Sequence, residues 1–189
     1  MDESENNLQP EPVIRVVNLV KRFGDVTVLD GINLEVYPGE TMVIMGGSGC
    51  GKSTVLRHMI GSMWPDAGHV ELFGQDVSQL SERELDEMRK RFGILFQSGA
   101  LFNSMTVGEN VALPLREHTD LDEDTIEIMV RIKLEQVGLR QAVDLMPAEI
   151  SGGMKKRAGL ARAIALDPEI LFYDEPSAGL DPVTSAEID

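Results

Sequence analysis

Residues Gly46 to Ser53 read Gly-Gly-Ser-Gly-Cys-Gly-Lys-Ser, the G-x-x-x-x-G-K-S spacing of a phosphate-binding loop. The chemistry explains the residue types. Backbone N–H groups must converge on phosphate oxygens, and side chains would obstruct them. Gly46, Gly47, Gly49 and Gly51 allow that approach and the unusual dihedrals it needs. Lys52 offers a point charge to the β- and γ-phosphates, and Ser53 a hydroxyl to Mg2+. Ser48, Cys50 and Thr54 complete the run that would line the nucleotide. The competing reading is a glycine-rich turn that happens to carry a lysine. The flanks argue against it: the apolar run Thr41–Met45 predicts a strand before the loop, and Ser53–Ile60 predicts a helix after it.

A phosphate loop alone says only nucleotide. Asp174 and Glu175 add an acidic pair at the end of the apolar run Ile170–Tyr173, where sites of α/β sheets lie. Asp174 can hold Mg2+, and Glu175 is placed to polarise a water for in-line attack. Gln97 closes a second short apolar run, Phe92–Phe96, and could reach the metal or that water. Taken singly, either could be no more than a solvated strand end. Ser151 precedes Gly152 and Gly153 and reads as a helix N-cap whose first turn is bare, a second anion-binding terminus. One nucleotide has little use for two such termini on one chain. Two copies packed head to tail would use both.

The elements that must carry these groups are legible from pattern. Val13–Val20, Val26–Leu29 and Ile32–Val36 predict strands, with Asp30-Gly31 as a turn, and Gly68–Gly74 predicts another. Ser81 and Glu84 have capping-box spacing, predicting a helix from about 82 to 90. Asp120 with Glu123 opens a helix that puts Ile126, Met129, Val130, Leu134 and Val137 on one face. Met154–Leu166 is helical by pattern, and Ile170–Tyr173 reads as a parallel strand buried on both faces. Strands alternating with helices around a phosphate loop predict an α/β fold. The region from about 98 to 165 is mostly helical and reads as an insertion. Residues 1–12 read as a disordered acidic tail ahead of one domain over 13–189.

Composition narrows the partners. The 189 residues carry a formal net charge of −15, which disfavours nucleic acid and anionic lipid as direct partners. Cys50 is the one cysteine, so no intramolecular disulfide forms. It reads as a small residue that fits the loop. The sharper alternative is that its modification blocks nucleotide binding. No apolar run approaches bilayer-spanning length, and the acidic N-terminus is unlike a signal peptide. A cytoplasmic chain that reaches a membrane through a partner is expected.

In order and co-occurrence these motifs resemble the ATPase subunit of ATP-binding cassette (ABC) transporters, over about Val13 to Asp189. Gly46–Ser53 matches Walker A, Gln97 the Q-loop glutamine, Ser151–Gly153 the core of the signature motif, and Ile170–Asp174 Walker B with Glu175 as its catalytic glutamate. Ser177–Asp181 resembles the D-loop, and Phe23 sits where the family stacks an aromatic ring on adenine. The resemblance implies a P-loop NTPase (RecA-like) core with an N-terminal antiparallel β layer and an inserted α-helical subdomain. It implies ATP and Mg2+ as cofactors and a head-to-tail dimer in which Lys52, Ser53, Gln97, Asp174 and Glu175 face Ser151 and Gly153 of the second subunit. It also implies an integral-membrane permease at the inner face of the plasma membrane. Leu101 and Phe102, just after the Q-loop, are candidates for docking that permease or equally for buried core.

Two departures refine the reading. Met154 and Ile150 stand where most of the family has glutamine and leucine. With Lys155-Lys156-Arg157 and the phrase Gly93–Phe102, they resemble the subgroup serving phospholipid transport and Mce-type proteins. His58, His69 and His118 all precede Walker B, so none fits the family's switch histidine, and a C-terminally incomplete ATPase domain is expected. The alternatives are an amino-acid or lipoprotein-type transporter ATPase, a soluble ABC ATPase acting on DNA or ribosomes, and a non-catalytic nucleotide-binding module.

Overall fold

The computed structural model describes residues 11–96 and 99–174. Gln97, Glu175, the D-loop-like run, and all of the acidic tail but its last two residues lie outside them. The chain divides into two compact units, the first ending at Leu85 and the second beginning at Asp86.

The first unit is built on an antiparallel sheet in the order β2-β1-β3-β4. Its strands are β1 (Ile14–Phe23), β2 (Val26–Val36), β3 (Ala67–Leu72) and β4 (Gln75–Asp76). The expected antiparallel β layer is therefore present, with one correction. Val26–Leu29 and Ile32–Val36 are a single strand, not two joined by a turn. Leu19 pairs with Ile32 and Lys21 with Leu29, so Asp30-Gly31 is a bulge, made possible by a φ of +70° at Gly31. Ile14, Val16, Leu19, Val70 and Leu72 bury one side of this layer. Helix α1 (Lys52–Met59) follows the phosphate loop within one residue of its predicted start.

The predicted strand Thr41–Met45 does not form. These residues are irregular, and Met45 is 87% exposed. The sequence has a strand's composition, but a strand exists only through ladder partners, and none of the described strands pairs with it.

The second unit carries a two-stranded parallel sheet and a helical cluster. Strand β5 (Phe92–Leu95) pairs with β6 (Ile170–Tyr173) in register Phe92↔Ile170 to Leu95↔Tyr173. Ile170 and Phe172 are buried, but Leu171 and Tyr173 are exposed, so β6 alternates instead of being covered on both faces. Helix α2 (Glu82–Arg89) keeps its Ser81–Glu84 capping box and spans the boundary between the units.

Helices α3 (Val107–His118), α4 (Glu123–Gln136) and α5 (Gly152–Ala163) bury one shared core. It is lined by Val111, Leu115, Ile126, Val130, Leu134 and Ala158. The cap of α4 is Asp122, whose carboxylate accepts from the Thr125 N–H at 2.9 Å, and not Asp120. Helix α3 buries Val107, Val111 and Leu115 at i, i+4, i+8 spacing, continues through Pro114, and starts at a capping box formed by Thr106 and Glu109. No helix among the described residues is long and apolar enough to cross a membrane.

Candidate nucleotide-binding site

The phosphate loop ends in a helix terminus built for an anion. Gly51, the N-cap of α1, has φ +98° and no side-chain cap bond, and no acidic residue sits in the first turn. The first-turn N–H groups are therefore presented by backbone geometry alone, at the positive end of the helix dipole. Gly51 must be glycine on two counts. Its φ is left-handed, and a Cβ there would lie 2.9 Å from Leu29 Cδ2 and 3.2 Å from Val28 Cγ1. Gly47 and Gly49 face open space. Lys52 curls back over the loop, its Nζ donating to the Gly46 carbonyl at 2.9 Å and the Gly47 carbonyl at 3.0 Å. The ammonium thus stands over the loop's concavity, where a phosphate would accept from it. Cys50 is exposed, with its Sγ turned toward Gly46, where a Cβ would meet it at 2.5 Å. The absence of a side chain at Gly46 is what leaves room for the sulfur.

Phe23 closes β1 and is 49% exposed. Sequence reasoning missed its support. Lys21 Nζ lies 5.7 Å from the ring centroid and donates to the Trp64 carbonyl at 2.9 Å and to Asp66 Oδ1 at 3.3 Å. Asp66 also accepts from the Arg22 N–H at 2.6 Å, which, with Lys21, holds its carboxyl below the usual aspartate range. The i, i+2 spacing of Lys21 and Phe23 on a strand was the available signal.

In the second unit, the Asp174 N–H donates to the Leu95 carbonyl at 3.0 Å. This extends the β5–β6 ladder to the residue that ends Walker B. Gln97 and Glu175 follow Leu95 and Asp174 by two residues and one, and both lie outside the described residues. Ser151 caps α5 as expected, its Oγ accepting from the Met154 N–H at 3.2 Å. Ser151 and Gly152 are exposed, Gly153 is partly so, and nothing lies within 4 Å of a Cβ built at Gly152. The departures at Ile150 and Met154 have a packing reason: Ile150 is buried in the helical core and Met154 packs against it. Leu101 packs against that core too, while Phe102 is 52% exposed, which separates the two docking candidates.

The sequence model of the family described as ABC transporter matches residues 29–178. The chain belongs to the ABC transporter family. It is 51% identical over 93% of its length to the intermembrane phospholipid transport system ATP-binding protein MlaF of Haemophilus influenzae, spanning 67% of that protein. It is 50% identical over 85% of its length to MlaF of Escherichia coli, spanning 60% of it. A protein of Mycobacterium leprae named a probable ribonucleotide transport ATP-binding protein is 48% identical over 92% of this chain, which spans 50% of that protein. This ABC family chain thus spans between half and two thirds of these relatives. Its fold matches cbiO1 of Clostridium perfringens with a TM-score of 0.84 at 31% identity, covering 94% of this chain and 71% of that one. The ATP-binding cassette MJ0796, solved as a dimer in a post-hydrolysis state with ADP and Pi, matches with a TM-score of 0.84 at 30% identity, covering 93% and 79%. These likenesses establish the P-loop NTPase fold.

Proposed function

We propose that this chain is the ATP-binding and ATP-hydrolysing part of a subunit that powers an ABC permease moving phospholipid across the cell envelope. The observation that carries it is the uncapped, glycine-framed terminus of α1 with Lys52 folded over the loop. The relatives' printed names supply the cargo class.

The residues present fit a magnesium nucleotide. Open space at Gly47 and Gly49 leaves room for phosphate, and Ser53 and Asp174 supply the hard oxygen donors that Mg2+ prefers. Bound Mg-ATP supplies the scissile γ-phosphoryl group and the cation that neutralises its developing charge. Loop N–H groups and the α1 terminus orient the phosphates. Lys52, now held by the Gly46 and Gly47 carbonyls, would donate to the β- and γ-phosphates instead. Ser53, Asp174 and Gln97 would be the cation's ligands, and Phe23 would stack on the adenine. Glu175 accepts a proton from the attacking water. Ser151 and Gly153 of a second subunit close over the same nucleotide, as the dimeric state of MJ0796 makes reasonable. Phe102 meets the permease at the inner face of the membrane.

A second cargo reading rests on the mycobacterial name, ribonucleotide transport. The test is ATP hydrolysis by the full-length subunit with its permease in phospholipid vesicles. Phospholipid-dependent stimulation that Lys52→Ala abolishes is expected. Stimulation by ribonucleotides other than ATP outside the vesicle, with none by lipid, would overturn the lipid assignment.

A further inference from the structure

Arg162 lies on the last turn of α5, the helix that begins at Gly152. Its guanidinium is where three parts of the second unit meet. Nη2 donates to the Gly99 carbonyl at 3.1 Å, Nη1 to Asn110 Oδ1 at 3.4 Å, and Cζ lies 5.7 Å from the centroid of the Phe102 ring. Asn110 is wholly buried and directs both ends of its amide to the same segment. Oδ1 accepts from the Phe102 N–H at 2.8 Å, and Nδ2 donates to the carbonyls of Phe102, Met105 and Thr106 at 3.1, 3.2 and 2.8 Å.

The backbone is bent to make these contacts. Gly99 and Ala100 are consecutive left-handed residues, with φ +73° and +47°. An alanine adopts that conformation only at a cost that surrounding contacts must offset. Gly159, three residues before Arg162, lets the segment lie directly on α5: a Cβ there would come within 2.8 Å of the Gly99 carbonyl oxygen.

The choice of arginine is informative. Burial lowers its pKa, and among the described residues no carboxylate pairs with it. Its partners are a carbonyl, an amide oxygen and a ring face. A buried apolar side chain would fill the space without desolvating a charge. What the planar, forked cation adds is three directional contacts at once. The ring that it fixes is exposed, whereas neighbouring Leu101 serves the core. The network therefore holds a surface aromatic in place.

We propose that Arg162 is a positioning residue that joins Phe102, Gly99 and α5 into one mechanical body. A partner pressing on Phe102 then displaces Gly99 and Ala100 together with the Ser151 terminus of α5. Asn110 is the buried pin of the same device. The proposal rests on the permease reading given above. Arg162 does not touch nucleotide.

The test compares the full-length subunit alone and assembled with its permease, measuring kcat and KM for ATP. Arg162→Lys keeps the charge but loses the fork and the planar stack. It is expected to lower the permease-stimulated kcat about tenfold, a typical coupling factor. The KM for ATP and the kcat of the isolated subunit should change less than about twofold. Arg162→Met, of similar length and uncharged, keeps the packing even where lysine impairs folding, and the same split is expected. Equal loss of stimulated and isolated kcat in both variants, or undiminished stimulation in both, would overturn the proposal. A wild-type subunit that its permease fails to stimulate would overturn the underlying functional reading instead.

Discussion

The N–H of Asp174 and the carbonyl of Leu95 are joined by a 3.0 Å hydrogen bond, so the two parallel strands of the second unit end level with one another. Leu95 and Asp174 therefore sit side by side, and in sequence Gln97 follows the one by two residues and Glu175 the other by one. The roles proposed for Gln97 as a metal-coordinating amide and Glu175 as a general base call for that kind of common origin, because rigid strands hold a reacting geometry better than free loops do.

Glu175→Gln in the full-length subunit should therefore remove the base and leave nucleotide binding intact. Hydrolysis is expected to fall by about 10²- to 10⁴-fold, the range for loss of a general base. Light scattering with and without Mg-ATP should show an ATP-dependent dimer. Wild-type rates of phosphate release in this variant would remove Glu175 from the chemistry.

Lys52 rests on two backbone carbonyls, which a methionine cannot hold. A charge-assisted hydrogen bond to a phosphate oxygen is worth about 1.5–3 kcal/mol, whereas the solvent-exposed bonds to the Gly46 and Gly47 carbonyls add little to stability. Lys52→Met is thus expected to weaken ATP binding at least about tenfold while the thermal midpoint without nucleotide changes little. Equilibrium binding of a fluorescent ATP analogue and a melting curve read the two effects separately.

Gly93 lies on β5 directly beneath α5. A Cβ there would fall 2.2 Å from the Ala163 carbonyl oxygen and 2.8 Å from Leu171 Cδ2. The first contact is with backbone and cannot be relieved by a rotamer change. Gly93→Ala gains little in strand propensity but forces α5 off the sheet, costing about 3 kcal/mol at the upper end of ordinary overpacking. A thermal midpoint lower by several degrees is expected. An unchanged midpoint would show that the helix sits farther from the strand than described.

Asp66 carries a pH signature. The Arg22 N–H and Lys21 lower its pKa in the folded state, so the folded form binds fewer protons there than the unfolded chain. The stabilisation is present in full above the unfolded carboxyl value and is lost as pH falls through the lowered folded value. Asp66→Asn should consequently lower the thermal midpoint at pH 7, with the difference shrinking below about pH 4. The variant should also bind ATP more weakly, because Asp66 orders Lys21 beneath the Phe23 ring. A midpoint difference that stays constant down to pH 3 would refute the charge-based role.

Much of this protein follows from local spacing. The glycines and Lys52, the Ser81–Glu84 capping box and the Ser151 cap specify backbone geometry within a few residues of themselves, so their structures match expectation. The apolar strand that ends at Asp174 is local in the same sense, while Glu175 lies outside the described residues. Tertiary structure decided what depends on partners far along the chain. Thr41–Met45 has a strand's composition but no strand beside it among those described, so it remains irregular. Asp30-Gly31 became a bulge because β1 pairs along both halves of β2. Leu101 and Phe102 are adjacent and both apolar, and no pattern could separate them. Asn110, eight residues on, and Arg162, sixty-three residues beyond Gly99, turn one toward the core and hold the other at the surface. Burial is a property of the assembled neighbourhood, and a one-dimensional pattern carries only the periodicity that this neighbourhood selects.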